Sequence, residues 1–353
     1  MLRDFSCLIF SLLFFTHCVQ EKPDIRVVCE TTPNGYHKIK WEIFPPMVGT
    51  VKIYESTLPD SFKIYSPVAE SDISKGFANV FFTPTAERSY FKLVFNKKHS
   101  VITAERIVPM QGLTNFRDLG GYYNSTGNQT RWGKLFRSST LANATFQDAI
   151  VFRNLNIRTV IDFRTEKERY DEPTRRIASN VYNFPLKGSP FNLYFDKVLA
   201  GEMRAGDVKV YAQDVFVSLL ENNSDYFSKM FDILLDAGNY PVLINCTTGS
   251  DRSAIAAALI LAALDIDMDQ IVSDYMLTNK QTDLSSIIPY GNIFMREPEI
   301  QETFTAYYRV HKSTITYTFD KILKEYETID NYFDTVLELT AKKREKLREI
   351  MFY

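Results

Sequence analysis

Cysteine and histidine are scarce, four of each among 353 residues. Cys7, Cys18, Cys29 and Cys246 make no C-x-x-C pair and no spaced framework, so they suggest neither a zinc ribbon nor a disulfide scaffold. His17, His37, His99 and His311 all lie far in sequence from Cys246, the one cysteine set in a polar loop, so a Cys–His or Ser–His–Asp mechanism has no evident base. An excess of one charge is missing as well. The chain has 41 Lys and Arg against 43 Asp and Glu, a formal −2, which argues against bulk attraction to nucleic acid. No internal repeat or low-complexity tract stands out. What is there suits a globular chain with a real core: 45% hydrophobic and 24% charged residues. At this length two domains are the natural expectation.

Residues 1–17 carry Arg3 near the start and an apolar run over 5–15. That run is too short to cross a bilayer comfortably and fits the h-region of a secretory signal. Cys18 follows at once, then a polar VQEKPD. The arrangement resembles a bacterial lipoprotein signal, which implies removal of 1–17, lipidation of Cys18 and a linker over 18–24. Phe15, Thr16 and His17 stand where such signals usually carry Leu and small residues, and the alternative is a plain cleaved leader. Export is expected in both cases. A lipid would anchor the chain to a membrane of a bacterial cell envelope.

From 25 to 109 short β-rich runs recur between turn residues, at 25–32, 37–44, 50–55, 62–68, 77–83, 90–96 and 101–108. Such spacing predicts an all-β sandwich of immunoglobulin or fibronectin type III-like form. Trp41 and Tyr90 read as core, and Cys29 as a buried free thiol. This module shows no chemistry and reads as a spacer or docking unit.

From 110 to 353 strands alternate with helices, the mark of an α/β sheet. Strands are expected at 134–137, 157–163, 181–184 and 241–245. Helices are expected at 149–155, with Thr145 and Asp148 as a capping pair, and at 226–235, 253–264, 268–277, 314–326, 329–337 and 341–351. In the last, Lys342, Lys343, Arg344, Lys346 and Arg348 read as a solvated face.

The stretch PVLINCTTGSDRSAIAAALILAAL, 241–264, joins a buried strand to a buried helix through a polar turn. Loop amides and the free first N–H groups of the helix make an anion cup, aided by the helix dipole. Arg252 can close it with a planar fork suited to phosphate oxygens. Cys246 sits at its floor, where the same donors favour a thiolate, so the thiol is expected to lose its proton easily. Gly249 supplies a backbone conformation that a Cβ would forbid. Asp251, inside the loop, is a candidate proton donor or loop anchor.

The spacing Cys246-x5-Arg252, with Thr247, Thr248, Gly249, Ser250 and Ser253, resembles the signature loop of the protein tyrosine phosphatase superfamily. NFRDLGGY (115–122), LFRSSTL (135–141), VIDFRTEKE (160–168) and EYETIDNYFDTVLEL (325–339) resemble, in order, the other blocks of the bacterial and fungal tyrosine/serine phosphatase family. The resemblance covers about 112 to the end. It implies an α/β fold with a parallel central sheet flanked by helices, and a helical lid over 191–222. It implies a cysteinyl-phosphate intermediate with no cofactor and no metal. It makes Asp162 the general acid, with Asp251 its rival, and has Arg164 contact the substrate region. Ser253 would help the thiolate depart in the second step. Arg117 is a lesser candidate for substrate contact beside a mainly structural role.

Two departures stand out. Asn245 replaces the family's usual His before the cysteine, and Ser250 replaces the Lys associated with phosphoinositide preference. The expected activity is hydrolysis of a phosphomonoester, phosphotyrosine first, on a phosphorylated protein or small molecule. The alternatives are a weakened phosphate-binding lipoprotein and an inositol-phosphate or lipid phosphatase.

Overall fold

The computed structural model describes residues 23–32, 34–81, 87–174, 177–187, 191–281 and 296–353. The expected leader over 1–17, with Cys7, and the expected lipidation site Cys18 lie outside the described residues.

The chain first builds β1 (Asp24–Thr31), β2 (Tyr36–Phe44), β3 (Thr50–Ser56), β4 (Ala69–Asp72), β5 (Phe77–Phe81), β6 (Tyr90–Phe95) and β7 (His99–Ala104). They form two sheets, β1-β2-β5 and β4-β3-β6-β7, with antiparallel pairing throughout. Alternate residues face inward: Val27 and Cys29 from β1, Ile39 and Trp41 from β2, and Phe91, Leu93 and Phe95 from β6 share one hydrophobic cluster. Trp41 satisfies its ring N–H on the Ile73 carbonyl at 2.8 Å. One strand is displaced from its expected place. Residues 62–68 run through turns, and the strand is Ala69–Asp72, paired to β3 from Ile53↔Ala69. Pro67 cannot donate to a ladder, and Ile64 and Tyr65 are exposed.

The third sheet comprises β8 (Arg117–Asp118), β9 (Leu135–Ser138), β10 (Thr159–Asp162), β11 (Asn180–Asn183) and β12 (Val242–Asn245), in the order β11-β10-β12-β9-β8. Four strands are parallel. The edge strand β8 runs antiparallel to β9, so the sheet is mixed where a parallel one was expected. The 119–134 connection is made of turns, and antiparallel neighbours need no crossover helix.

Helices follow as α1 (Phe146–Asn154), α2 (Glu166–Asp171), α3 (Phe191–Leu199), α4 (Ala205–Asn222), α5 (Ser224–Leu234), α6 (Arg252–Ala263), α7 (Met268–Met276), α8 (Thr278–Gln281), α9 (Pro298–Tyr308), α10 (Lys312–Tyr326), α11 (Ile329–Thr335) and α12 (Ala341–Met351). Helix α9 was not foreseen in the sequence. The strands β9, β10 and β12 are buried on both faces and alternate between two cores, whereas the edge strand β11 is mostly exposed. Leu135, Ile161, Val242 and Ile244 join the larger cluster with α5 and α6. Phe136, Val160 and Leu243 join the smaller one with Phe152 and Leu155 at α1. The α1 cap is the expected box: Thr145 and Asp148 exchange side-chain and backbone bonds. On α12 the solvated basic face needs correction. Arg344 turns inward, 4% exposed, and its cation meets Asp334 and Asp330 at 2.7 and 3.3 Å.

Candidate active site

Parallel register brings three strand ends level, with Asp162 opposite Asn245 and Asn245 opposite Ser138. The loops leaving β10, β12 and β9 therefore meet at one edge, where open α/β sheets place their ligands. Cys246 follows β12 and is fully buried.

Gly249 turns the loop with φ +76°. A Cβ there would come within 2.9 Å of the Ser138 carbonyl and Ser139 nitrogen, so only glycine fits. The turn points the Gly249 N–H at Cys246 Sγ, 3.2 Å away. It sends the carbonyl the other way, onto Asn115 Nδ2 at 2.9 Å and Arg137 Nη2 at 2.6 Å. Ser253 Oγ lies 3.4 Å from the sulfur, and the thiol donates to Asp251 Oδ1 at 3.5 Å.

The expectation of an easily ionised thiol fails in this arrangement. Burial pushes the Cys246 thiol up and the Asp251 carboxylate adds to that, while Arg252 and Ser253 pull down. The helix and amides are in place, but a carboxylate beside the sulfur and desolvation oppose them.

Arg252 opens α6 and is 7% exposed. Its Nη1 and Nη2 donate to the two oxygens of Glu168 at 2.6 and 2.8 Å, Nη1 also approaches the Phe163 carbonyl at 3.3 Å, and Nη2 also donates to Thr247 Oγ1 at 3.0 Å. Nε–H has no hydrogen-bond acceptor among the described residues. Glu168 thus takes the end of the guanidinium and Thr247 the remaining Nη2 hydrogen, which leaves Nε–H for an anion. Glu168 is fixed in turn. It sits at the third position of α2 in a capping box with Thr165 and accepts Thr247 Oγ1 at 2.6 Å. Burial would raise its carboxyl, but Arg252 and Thr247 hold it at about 2.

Behind the loop lies a buried cluster. Arg117 Nε and Arg137 Nη1 both reach Asp274 of α7, at 3.0 and 2.9 Å. Arg137 is pushed down to about 10, first by burial and then by Arg117. Two guanidinium groups on one carboxylate leave a surplus positive charge under the cup, where it favours a bound anion. Arg117 is fully buried and meets Asp274, Asn115 and Thr278, so its side chain supports the loop and does not reach outward.

Asp162 and Arg164 pair with each other. Arg164 donates through its backbone N, Nε and Nη2 to the Asp162 carboxylate at 2.8–3.1 Å, and Asn245 Nδ2 adds a bond at 3.3 Å. Both residues are buried, 2% and 0% exposed. The geometry therefore gives Asp162 and Arg164 a strand-closing role in place of the acid and substrate-contact roles expected of them. Asn245 Oδ1 is buried with no hydrogen-bond partner among the described residues.

A cavity of about 280 Å³ opens over the loop, with Thr247, Thr248, Ser250 and Asp251 at its floor. Val208, Tyr211, Val215 and Phe216 project from one stripe of α4, and Tyr307 and Tyr308 of α9 face them. The expected cover over 191–222 thus contributes through α4, with α9 as a second, unforeseen wall. Among the described residues no group of three or more His, Cys, Asp or Glu is placed to hold a metal ion.

The model of the tyrosine phosphatase family matches residues 108–353. The chain belongs to that family. A Cupriavidus necator protein named as a tyrosine-protein phosphatase is 26% identical over 253 residues, spanning 64% of this chain and 82% of that one. The triple specificity protein phosphatase PtpB of Mycobacterium tuberculosis is 26% identical over 192 residues, 48% of this chain and 68% of that one. Among solved structures, the catalytic core of the PP-IP phosphatase SIW14 from S. cerevisiae shares 14% identity with a TM-score of 0.29, over 53% of this chain and 92% of that one. That last likeness is too weak to bear on the fold. As a tyrosine phosphatase family member the protein is a phosphoric monoester hydrolase.

Sequence reasoning passed over Glu168, Asn115, Arg137 and Asp274. The first three lie inside quoted blocks. The T-x-x-E spacing of Thr165 and Glu168 is a helix-start signal, but it says nothing of a use against Arg252. Asp274 gave no signal, because its partners stand 137 and 157 residues away.

Proposed function

We propose that the protein hydrolyses aryl phosphomonoesters, phosphotyrosine first, with Cys246 as nucleophile and Asp251 as general acid. The Cys246 thiolate attacks phosphorus, the bond to the leaving oxygen breaks, and Asp251 gives its proton to that oxygen. Water then attacks the cysteinyl-phosphate and Asp251 takes back a proton. The P–S bond breaks, Ser253 stabilises the departing thiolate, and inorganic phosphate leaves. Arg252, through Nε–H, and the loop amides of residues 247–251 hold the equatorial oxygens. The observation that carries the assignment of Asp251 is its position, 3.5 Å from the sulfur and on the cavity floor, where Asp162 is not.

The aromatic walls suit an aryl leaving group, and Ser250 in place of a lysine speaks against highly anionic lipids. The remaining features belong to the same reading. Residues 25–109 form an immunoglobulin or fibronectin type III-like sandwich ahead of a catalytic unit over 110–353. Cys18 carries a lipid that holds the exported enzyme at a bacterial envelope membrane. The test is hydrolysis of p-nitrophenyl phosphate and a phosphotyrosine peptide by the chain from Cys18 onward. Cys246→Ser should be inactive on both. Asp251→Asn should lose far more on the peptide, whose leaving group needs the proton. Equal losses on both substrates would remove Asp251 from the role.

A further inference from the structure

We propose that Arg88, which precedes β6 in the N-terminal sheets, is a positioning residue for the phosphate loop and acts through Asp118. The inference rests on the reading of that loop as an anion cup. Arg88 reaches across to the phosphatase part, with Nη1 2.5 Å from Asp118 Oδ2 and Nη2 2.7 Å from the Glu105 carbonyl. The Arg88 side chain is 10% exposed and that of Asp118 is fully buried. The other Asp118 bonds come from uncharged donors, Gly120 N and Gly133 N, each at 2.7 Å. The guanidinium also lies 4.8 Å from the ring of Tyr90 and 5.8 Å from that of Phe136 on β9. A buried carboxylate of this kind depends on its cation, because losing it leaves an uncompensated charge in a dry site.

Strand β8 is only Arg117–Asp118, and successive side chains of a strand point to opposite faces. Asp118 turns to the N-terminal sheets, and Arg117 turns to the active loop. Arg117 bonds Asn115 Oδ1, and Asn115 Nδ2 holds the Gly249 carbonyl at 2.9 Å. Across the β8–β9 ladder Arg117 faces Arg137, which grips the same carbonyl at 2.6 Å. The free edge of β8 is closed by the N-terminal part too, through the Ile107↔Arg117 bridge and the Val108 N–H on the Phe116 carbonyl at 3.2 Å. A spacer would not need a desolvated ion pair here. The arrangement makes the N-terminal sheets part of what keeps the Gly249 peptide turned, with its N–H on the sulfur.

The test uses the full chain with p-nitrophenyl phosphate as substrate and orthovanadate as a ligand that needs no turnover. Arg88→Met should lower kcat about two- to thirtyfold and weaken vanadate binding by a similar factor. Arg88→Lys should restore most of the loss, and the acid limb of the kcat/KM profile should move upward as the sulfur loses a fixed N–H. A folded Arg88→Met with unchanged kcat, vanadate affinity and acid limb overturns the proposal. Should Arg88→Met not fold, urea titration of the wild type decides. Activity and hydrogen-exchange protection of β1–β7 are expected to vanish together, and activity outlasting that protection overturns the proposal. A wild type that neither hydrolyses the aryl phosphate nor binds vanadate sinks the phosphatase reading itself. An active wild type with an indifferent Arg88→Met sinks only this inference.

Discussion

Replacing Glu168 by Gln is the most informative single perturbation of the site. Gln keeps the volume and one acceptor but removes the charge that faces both terminal nitrogens of Arg252. A carboxyl lowered from 4.5 to about 2 corresponds to about 3 kcal/mol of differential interaction. The Glu168 side chain is 32% exposed, and solvent screening trims that to about 1–2 kcal/mol. If that energy keeps the Nε–H of Arg252 aimed at phosphate, kcat/KM should fall about five- to thirtyfold. Steady-state hydrolysis of p-nitrophenyl phosphate measures it. The sign of the pH effect follows from the same depression. The stabilisation is complete above about pH 4.5 and is lost as pH falls toward 2. Acid unfolding followed by circular dichroism should therefore be steeper over that window in the wild type than in Glu168→Gln. A variant within about twofold of wild-type kcat/KM, with an unchanged acid transition, would refute the idea that Glu168 orients Arg252.

Three further outcomes follow from the loop. Asp251→Asn should lower the thiol pKa by removing the carboxylate beside the sulfur, while cutting kcat for a phosphotyrosine peptide about 10²–10⁴-fold. The pH dependence of alkylation of Cys246 reads the first effect and kcat the second. Gly249→Ala should destabilise the fold by about 1–3 kcal/mol in chemical denaturation, because the turn has φ +76° and no room for a Cβ. It should also weaken phosphate binding. Asn245→His should lower the thiol pKa, since it puts a titratable ring one residue before Cys246 in place of an amide that bonds Asp162 at 3.3 Å. An unchanged pKa would show that the missing histidine does not explain the raised thiol.

Much of this architecture was legible because it is local. The apolar strand 242–245, the polar turn and the helix from Arg252 are consecutive, so cup, sulfur and guanidinium could be read from spacing alone. Alternation exposed β1, β2, β3, β5, β6 and β7, but the strand at Ala69–Asp72 was lost to the apolar residues 62–68 around Pro67. What stayed hidden is long-range. Asp274 meets Arg117 and Arg137 only through the fold, and Arg88 meets Asp118 only because two sheets pack together. Asp162 looked like an acid because it ends a strand at the ligand edge. The sequence could not show that Arg164, two residues on, folds back to hold it. Cys246 looked acidic because the donors around it were readable and the cost of burying its charge was not.

The central claim is that the Cys246 sulfur accepts a phosphoryl group. Rapid acid quench of the wild type during turnover of an aryl phosphate, followed by peptide mass spectrometry, tests it most directly. The account predicts a phosphoryl group on the peptide containing Cys246, building up further in Ser253→Ala, where thiolate departure is slowed. Steady turnover with Cys246 unmodified in both proteins, or hydrolysis that persists in Cys246→Ser, would contradict it.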